Sequence, residues 1–206
     1  MRVMTDERRD AIVEAAAKLF EEVGVEAASM SELSKRLGGS KSTLYRYFPA
    51  KEELVSAVVR RFATGHMADA VAELEASIEV ERALKESLLR FGDQALKVVA
   101  NDSRARSIHR VIVAAAGQSR VGELFCEAGP VQMLAKLAQL VAVSVSRGEI
   151  RRVDPAVAAS QFMALLNAQV SSRVYQMAPP PMKAAERREL VVGAVDFFLR
   201  AVAKTA

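Results

Sequence analysis

The chain has 206 residues, 51% hydrophobic and 26% charged, with few aromatics and no Trp. That length can bury a sizeable core without crosslinks, and the balance excludes a collagen, a coiled-coil rod and a disordered tail. The formal net charge is +4, and the excess sits in one window: between Ser29 and Lys51, the basic residues Lys35, Arg36, Lys41, Arg46 and Lys51 are opposed by Glu32 alone. Charge concentrated in this way points to a polyanionic partner. The single cysteine, Cys126, excludes an internal disulfide and reads as a buried structural thiol. The two histidines lie too far apart for a usual zinc set. No metal or cofactor is therefore expected, and the setting is reducing and cytoplasmic. No segment approaches the roughly 18 apolar residues of a membrane span, so no membrane partner is expected.

In chain order, residues 6 to 23 place Ile12, Ala15, Ala16, Leu19, Phe20 and Val23 at helical spacing, with Thr5 as N-cap and Gly24 as the stop. Ser29 and Glu32 have capping-box spacing ahead of Met30, Leu33 and Leu37, and Gly38-Gly39 ends this short second helix. Ser40 caps a third, residues 41 to 47, whose Leu44 and the following Phe48 point inward before Pro49 closes it. Two short helices joined by a glycine-containing turn form a helix-turn-helix, the arrangement that offers its second helix to a DNA major groove. With Leu33, Leu37 and Leu44 locked against Leu19 and Phe20, the outer face is Lys41, Ser42, Thr43, Tyr45, Arg46 and Tyr47. Gly39-Ser-Lys-Ser42 imitates the tail of a phosphate-binding loop, but the upstream glycine and the leading strand are missing.

The stretch from Arg9 to Leu54, with Leu19-Phe20, Gly24, Gly38, Ser40-Lys-Ser-Thr-Leu-Tyr-Arg-Tyr-Phe48 and Lys51-Glu-Glu-Leu54, resembles the DNA-binding domain of the tetracycline-repressor (TetR) family. The resemblance implies that Lys41 and Ser42 meet base edges, that Tyr45 touches base or backbone, and that Thr43, Tyr47 and Lys51 hold phosphates. Arg46 is open to either role. Ser29 either presents helix-terminal N–H groups to a phosphate or simply caps. Three residues depart from the family pattern. Ser34 replaces the usual Ala, Gly39 replaces an apolar residue and is expected to loosen the turn, and Ala50 stands where a capping side chain is common.

From Lys51 one long helix is expected to about Ala76. Further helices follow at about 82 to 100, 104 to 116, 119 to 128, 130 to 147, 155 to 177 and 183 to 203. The fold class is thus all-α: a helix-turn-helix DNA-binding domain over residues 1–50 and a helical effector-binding and dimerisation domain over residues 51–206. The last two helices are apolar over more than a narrow stripe, and together with the family's habit this makes them the homodimer interface. Gly193 either permits close approach of a partner or is merely tolerated. The segment from Val121 to Pro130, with Gly148-Glu-Ile and Asp154-Pro155, is similar to the AefR-like carboxy-terminal domain. An effector pocket is implied by the resemblance, and Phe91, His109, Val113, Met133 and Phe162 are its candidate lining, each with plain core packing as the alternative.

The resulting expectation is a ligand-responsive transcriptional regulator, most simply a repressor, that binds double-stranded operator DNA as a homodimer and is released by a small-molecule effector of unknown identity. It is not expected to be an enzyme. An all-helical enzyme acting on an apolar substrate and a protein-binding adaptor are the rival classes. Neither accounts for the coincidence of excess charge with the helix-turn-helix.

Overall fold

The computed structural model describes residues 5–65, 67–168 and 170–204, apart from the side chains of residues 98 and 99. All regular structure among the described residues is helical. The elements are α1 Asp6–Ala27, α2 Met30–Arg36, α3 Lys41–Tyr47, α4 Lys51–Val58, a π-helical segment Val59–Thr64, α5 Met67–Glu79 and α6 Leu84–Asn101. They continue as α7 Ser103–Ala115, α8 Val121–Ala128, α9 Pro130–Ser146, α10 Pro155–Ala168, α11 Ser171–Val174 and α12 Ala184–Val202. The chain forms two compact units, Met1–Gly65 with Arg104–Ala128, and His66–Ser103 with Gly129–Ala206.

In the first unit, Ile12, Leu19 and Phe20 of α1 share a core with Leu33 of α2, Leu44 of α3, Phe48, Leu54 of α4, and Ile108 and Ile112 of α7. Arg104, at the start of α7, pairs with Glu14 and reaches Glu21 on α1, and its guanidinium lies 4.5 Å from the Phe62 ring centre. Thr5 caps α1 by accepting from the Arg8 N–H. Gly24, at φ 80, departs from helical geometry inside α1, and the chain turns helical again through Ala27. The stop expected at Gly24 is thus a kink.

The single helix expected from Lys51 to Ala76 is not what forms. Apolar pairs recur every four residues, at 54–55, 58–59 and 62–63, longer than the 3.6-residue period of an α-helix. Widening the third turn into a π segment keeps Val59, Ala63 and Thr64 buried, and a separate α5 follows. The helix expected over 155 to 177 is likewise divided. It ends at Ala168, and the one-turn α11 carries a buried Arg173 whose Nε donates to the Ala100 carbonyl at 3.1 Å and whose Nη2 donates to the Pro180 carbonyl.

The second unit is a helical bundle in which α9 packs against α5 and α10, and α12 against α6 and α10. Phe162 stands between Phe91 and Phe198, with ring centres 6.3 and 5.2 Å apart. Arg187 of α12 grips Asp93 of α6 through two hydrogen bonds of 2.8 and 3.2 Å. Asn101 brackets Met182, donating to its carbonyl at 3.0 Å and accepting from its N–H at 2.8 Å.

Two sequence expectations need correction. Cys126 is exposed on α8, because the inward positions of that helix go to Val121, Leu124 and Phe125. The run Val121–Ser146 is long and apolar enough, at a mean hydropathy of 1.3, to match a membrane span by composition. Gly129-Pro130 divides it into α8 and α9, and Met133, Leu137, Leu140 and Val141 of α9 are buried in the second unit's core.

Candidate nucleic-acid interface

The short helices α2 and α3 are held from beneath. Leu33 and Leu44 are 1% and 2% exposed, which fixes the opposite side of α3 toward solvent. Lys41, Ser42, Tyr45 and Arg46 are exposed there, and Thr43 and Tyr47 are half-buried. The six residues named from the sequence on this helix therefore lie together on one short element.

The turn between the helices is built from side chains as well as glycine. Gly38 takes φ 61, a conformation that favours glycine. Ser34, almost fully buried, donates from Oγ to the Gly39 carbonyl at 2.8 Å. Arg8 reaches from α1 to donate to the Leu37 carbonyl at 3.4 Å. The expected loosening at Gly39 is thus opposed by the residue that departs from the family pattern at position 34. Arg8 was not singled out in the sequence; nothing in its spacing signals a contact with a turn some thirty residues away.

At the start of α3, Ser40 Oγ accepts from the Thr43 N–H at 3.2 Å and lies 2.9 Å from both Ser42 Oγ and Thr43 Oγ1. At its other end, the Tyr47 hydroxyl accepts from the Thr5 N–H at 3.1 Å. Because that bond uses a lone pair, the phenol keeps its own proton for an outside acceptor. Arg9 lies over the Phe48 ring at 5.0 Å. The first turn of α1 is therefore fastened to the end of α3.

Ser29 is exposed and caps α2, accepting from the Glu32 N–H at 3.1 Å. Lys51 is half-buried and donates from Nζ to the Glu26 carbonyl near the end of α1, at 3.1 Å. It therefore closes the terminus of α1 as well as standing at the start of α4. Ala50 provides no side-chain cap, and Glu52 and Glu53 occupy the first turn of α4, where their charge favours the helix dipole. Arg36 pairs with Glu22 at 2.6 Å and Glu32 at 3.3 Å, and Arg61 with Asp10 at 2.6 Å. The Arg36–Glu22 pair partly neutralises charge that the window from Ser29 to Lys51 counts as excess.

The five effector-pocket candidates fall in two places. Phe91, Met133 and Phe162 belong to the second unit's core, where Phe91 and Phe162 are fully buried. His109 and Val113 lie on α7 in the first unit. Val113 is 60% exposed, and His109 meets Phe125 edge-on with ring centres 5.5 Å apart. Burial holds the His109 imidazole below its ordinary value of 6.5 by disfavouring the charged form. No cluster of three or more metal-ligating side chains occurs among the described residues.

Residues 12–58 match the family described as bacterial regulatory proteins, tetR family, and residues 86–204 match the AefR-like transcriptional repressor, C-terminal domain. A curated HTH-type transcriptional regulator of Staphylococcus aureus is 46% identical over 61 residues, which is 30% of this chain and 33% of the relative. The alignment thus spans about a third of the length of that relative. Among solved structures, a TetR-family transcriptional regulator from Mesorhizobium loti is 25% identical with a TM-score of 0.77, over 98% of this chain and 100% of that one. The flavonoid-responsive regulator FrrA is 27% identical with a TM-score of 0.74, over the same shares. A TetR-family regulator from Pseudomonas syringae is 27% identical with a TM-score of 0.67, covering 96% of this chain and 97% of that one. The helix-turn-helix at one end and the AefR-like match over more than half of the chain lead to one conclusion: the protein belongs to the TetR family of bacterial transcriptional regulators.

Proposed function

We propose that the protein is a ligand-responsive, DNA-binding transcriptional repressor that acts as a homodimer in the cytoplasm and dissociates from a palindromic operator when a small molecule binds. The observation that carries this reading is α3: a helix pinned by Leu44 from below, with Lys41, Ser42, Tyr45 and Arg46 exposed on its free side. Lys41 and Ser42 meet base edges, Thr43, Tyr47 and Lys51 contact phosphates, and Tyr45 and Arg46 complete the surface. Ser29 adds a contact at the start of α2. Residues 1–50 carry the reading function, and residues 51–206 carry effector binding and dimerisation.

One reading helix covers only a few base pairs, so useful affinity calls for two, spaced about 34–36 Å apart along the duplex. The face available for pairing is on α10 and α12, where Val157, Val192 and Phe197 are 53%, 38% and 60% exposed. The aromatic and methionine-bearing core of the second unit, around Phe91, Met133 and Phe162, is of the chemistry that suits an apolar effector, and it has to open to admit one because Phe91 and Phe162 are fully buried. A flavonoid is a reasonable first probe, given the name of the FrrA relative. The effector acts by binding the DNA-incompetent state more tightly; equal affinity for both states would shift nothing.

The test is selection of bound fragments from random and genomic duplexes, followed by ligand screening for release. Recovery of a palindrome with half-sites one helical turn apart supports the reading. Failure of the intact dimer to prefer any duplex over competitor polyanions, with or without ligands, overturns it.

A further inference from the structure

Ser40, the exposed N-cap of α3, is assigned no DNA contact above, yet its hydroxyl touches both Ser42 and Thr43. We infer that Ser40 gives these two hydroxyls opposite hydrogen-bond polarity, so that Ser42 meets the major groove as an acceptor and reads the exocyclic amino group of an adenine or a cytosine. The inference rests on the DNA reading proposed above and deepens it at one position.

The polarity follows from a count of protons. A serine hydroxyl has one proton and two lone pairs. At Ser40 one lone pair is taken by the Thr43 N–H. One proton and one lone pair remain for two neighbouring hydroxyls, Ser42 Oγ and Thr43 Oγ1, each 2.9 Å away. One neighbour must therefore accept from Ser40 and the other must donate to it. A DNA phosphate oxygen only accepts, so Thr43 meets it by donating. Thr43 then receives the Ser40 proton, and Ser42 gives its own proton to Ser40. Ser42 is left with outward lone pairs. In the major groove these are matched by the N6 amino group of adenine or the N4 amino group of cytosine, whereas guanine N7 and O6 and thymine O4 offer only acceptors. Ser40 is thus a positioning residue, and Ser42 is the group that discriminates.

The experiment uses the full-length protein and its selected operator. Each half-site adenine is replaced in turn by purine, which lacks the amino group, and each cytosine by 2-pyrimidinone. In parallel, purine N7 acceptors are removed with 7-deaza bases. Wild type should lose roughly five- to tenfold in affinity for one amino-deleted position, and Ser42→Ala should be indifferent at that same position. Whether the sensitive base is adenine or cytosine identifies the amino group read. Ser40→Thr should keep the discrimination, and Ser40→Ala should blur it, with thermal unfolding used to confirm that α3 remains folded. Because Ser42 is exposed, Ser42→Ala leaves the core intact and decides the matter even if Ser40→Ala unfolds. Sensitivity to a 7-deaza base that Ser42→Ala abolishes overturns the polarity, as does equal sensitivity of wild type and Ser42→Ala to every amino deletion. Absence of binding to any duplex removes the DNA reading and this inference with it. Sound binding with the wrong group read removes the inference alone.

Discussion

Ser34 and Gly39 compensate for each other: the buried hydroxyl of the one donates to the carbonyl of the other across the turn that aims α3. Each departs from the family pattern, and together they make a turn fixed by a side chain. Ser34→Ala removes the bond, and a loss of about 1 kcal/mol in stability is expected, read as a lower urea midpoint with an unchanged slope. Affinity for the selected operator should fall with it. Gly39→Ala should be milder, because the added Cβ meets only the flexible Arg8 guanidinium, at 3.2 Å. A Gly39→Ala variant less stable than Ser34→Ala would show that the turn is held some other way.

Tyr47→Phe tests the opposite end of α3. The hydroxyl accepts from the Thr5 N–H and keeps a proton for phosphate. Its removal should weaken binding to operator and scrambled duplex alike and reduce the magnitude of the salt-dependence slope somewhat, by less than the roughly one unit lost with a charged contact. Titration against both duplexes at several salt concentrations checks this, and a loss confined to operator would make Tyr47 a base reader.

Gly92 allows α6 and α12 to approach closely. A Cβ placed there would lie 2.6 Å from Val191 Cγ1 and 3.3 Å from Leu166 Cδ2. Gly92→Ala should therefore destabilise the fold by about 1–3 kcal/mol through overpacking, against a helix-propensity gain of about 1 kcal/mol. Adding Val191→Ala should recover part of the loss, and a double-mutant cycle in thermal or urea unfolding measures the coupling.

His109 gives stability a pH dependence. Its folded value lies below the ordinary 6.5 because burial disfavours the imidazolium. Between those two values the unfolded chain binds the proton and the folded chain does not, so stability is lost as pH falls from 6.5 toward the folded value. His109→Gln should flatten the acid limb of Tm against pH in that window. An unchanged profile would assign the acid limb to other groups.

Phe197, on α12, is 60% exposed, and nothing lies within 4 Å of a Cβ built at Gly193. If this face pairs two copies, Phe197→Glu should give monomers in sedimentation and reduce operator affinity by more than tenfold while leaving the helical spectrum intact. A Phe197→Glu dimer of undiminished affinity would place the interface elsewhere.

The reading helix was legible in the sequence because its signals are local. Ser40 caps, Leu44 and Phe48 point one way, and Lys41, Ser42 and Tyr45 point the other; 3.6-residue periodicity is sufficient to sort them. Thr5 and Ser29 were legible as caps for the same reason, each acting on an N–H three residues ahead. What spacing along the chain does not encode is which distant groups meet. Arg8 on the Leu37 carbonyl, the Thr5 amide on Tyr47 and Lys51 on the Glu26 carbonyl join positions 25 to 42 residues apart. Tertiary packing also decided that the chain after Lys51 widens into a π segment, because burial of Val59, Ala63 and Thr64 outweighs the regular α ladder. It likewise left Val113 and Cys126 facing outward, since a helix with apolar residues on several sides can bury only those that meet another element. The amino-acid order determined the elements and the chemistry of α3; packing determined which residues hold that helix in place and which side chains remain free to meet a partner.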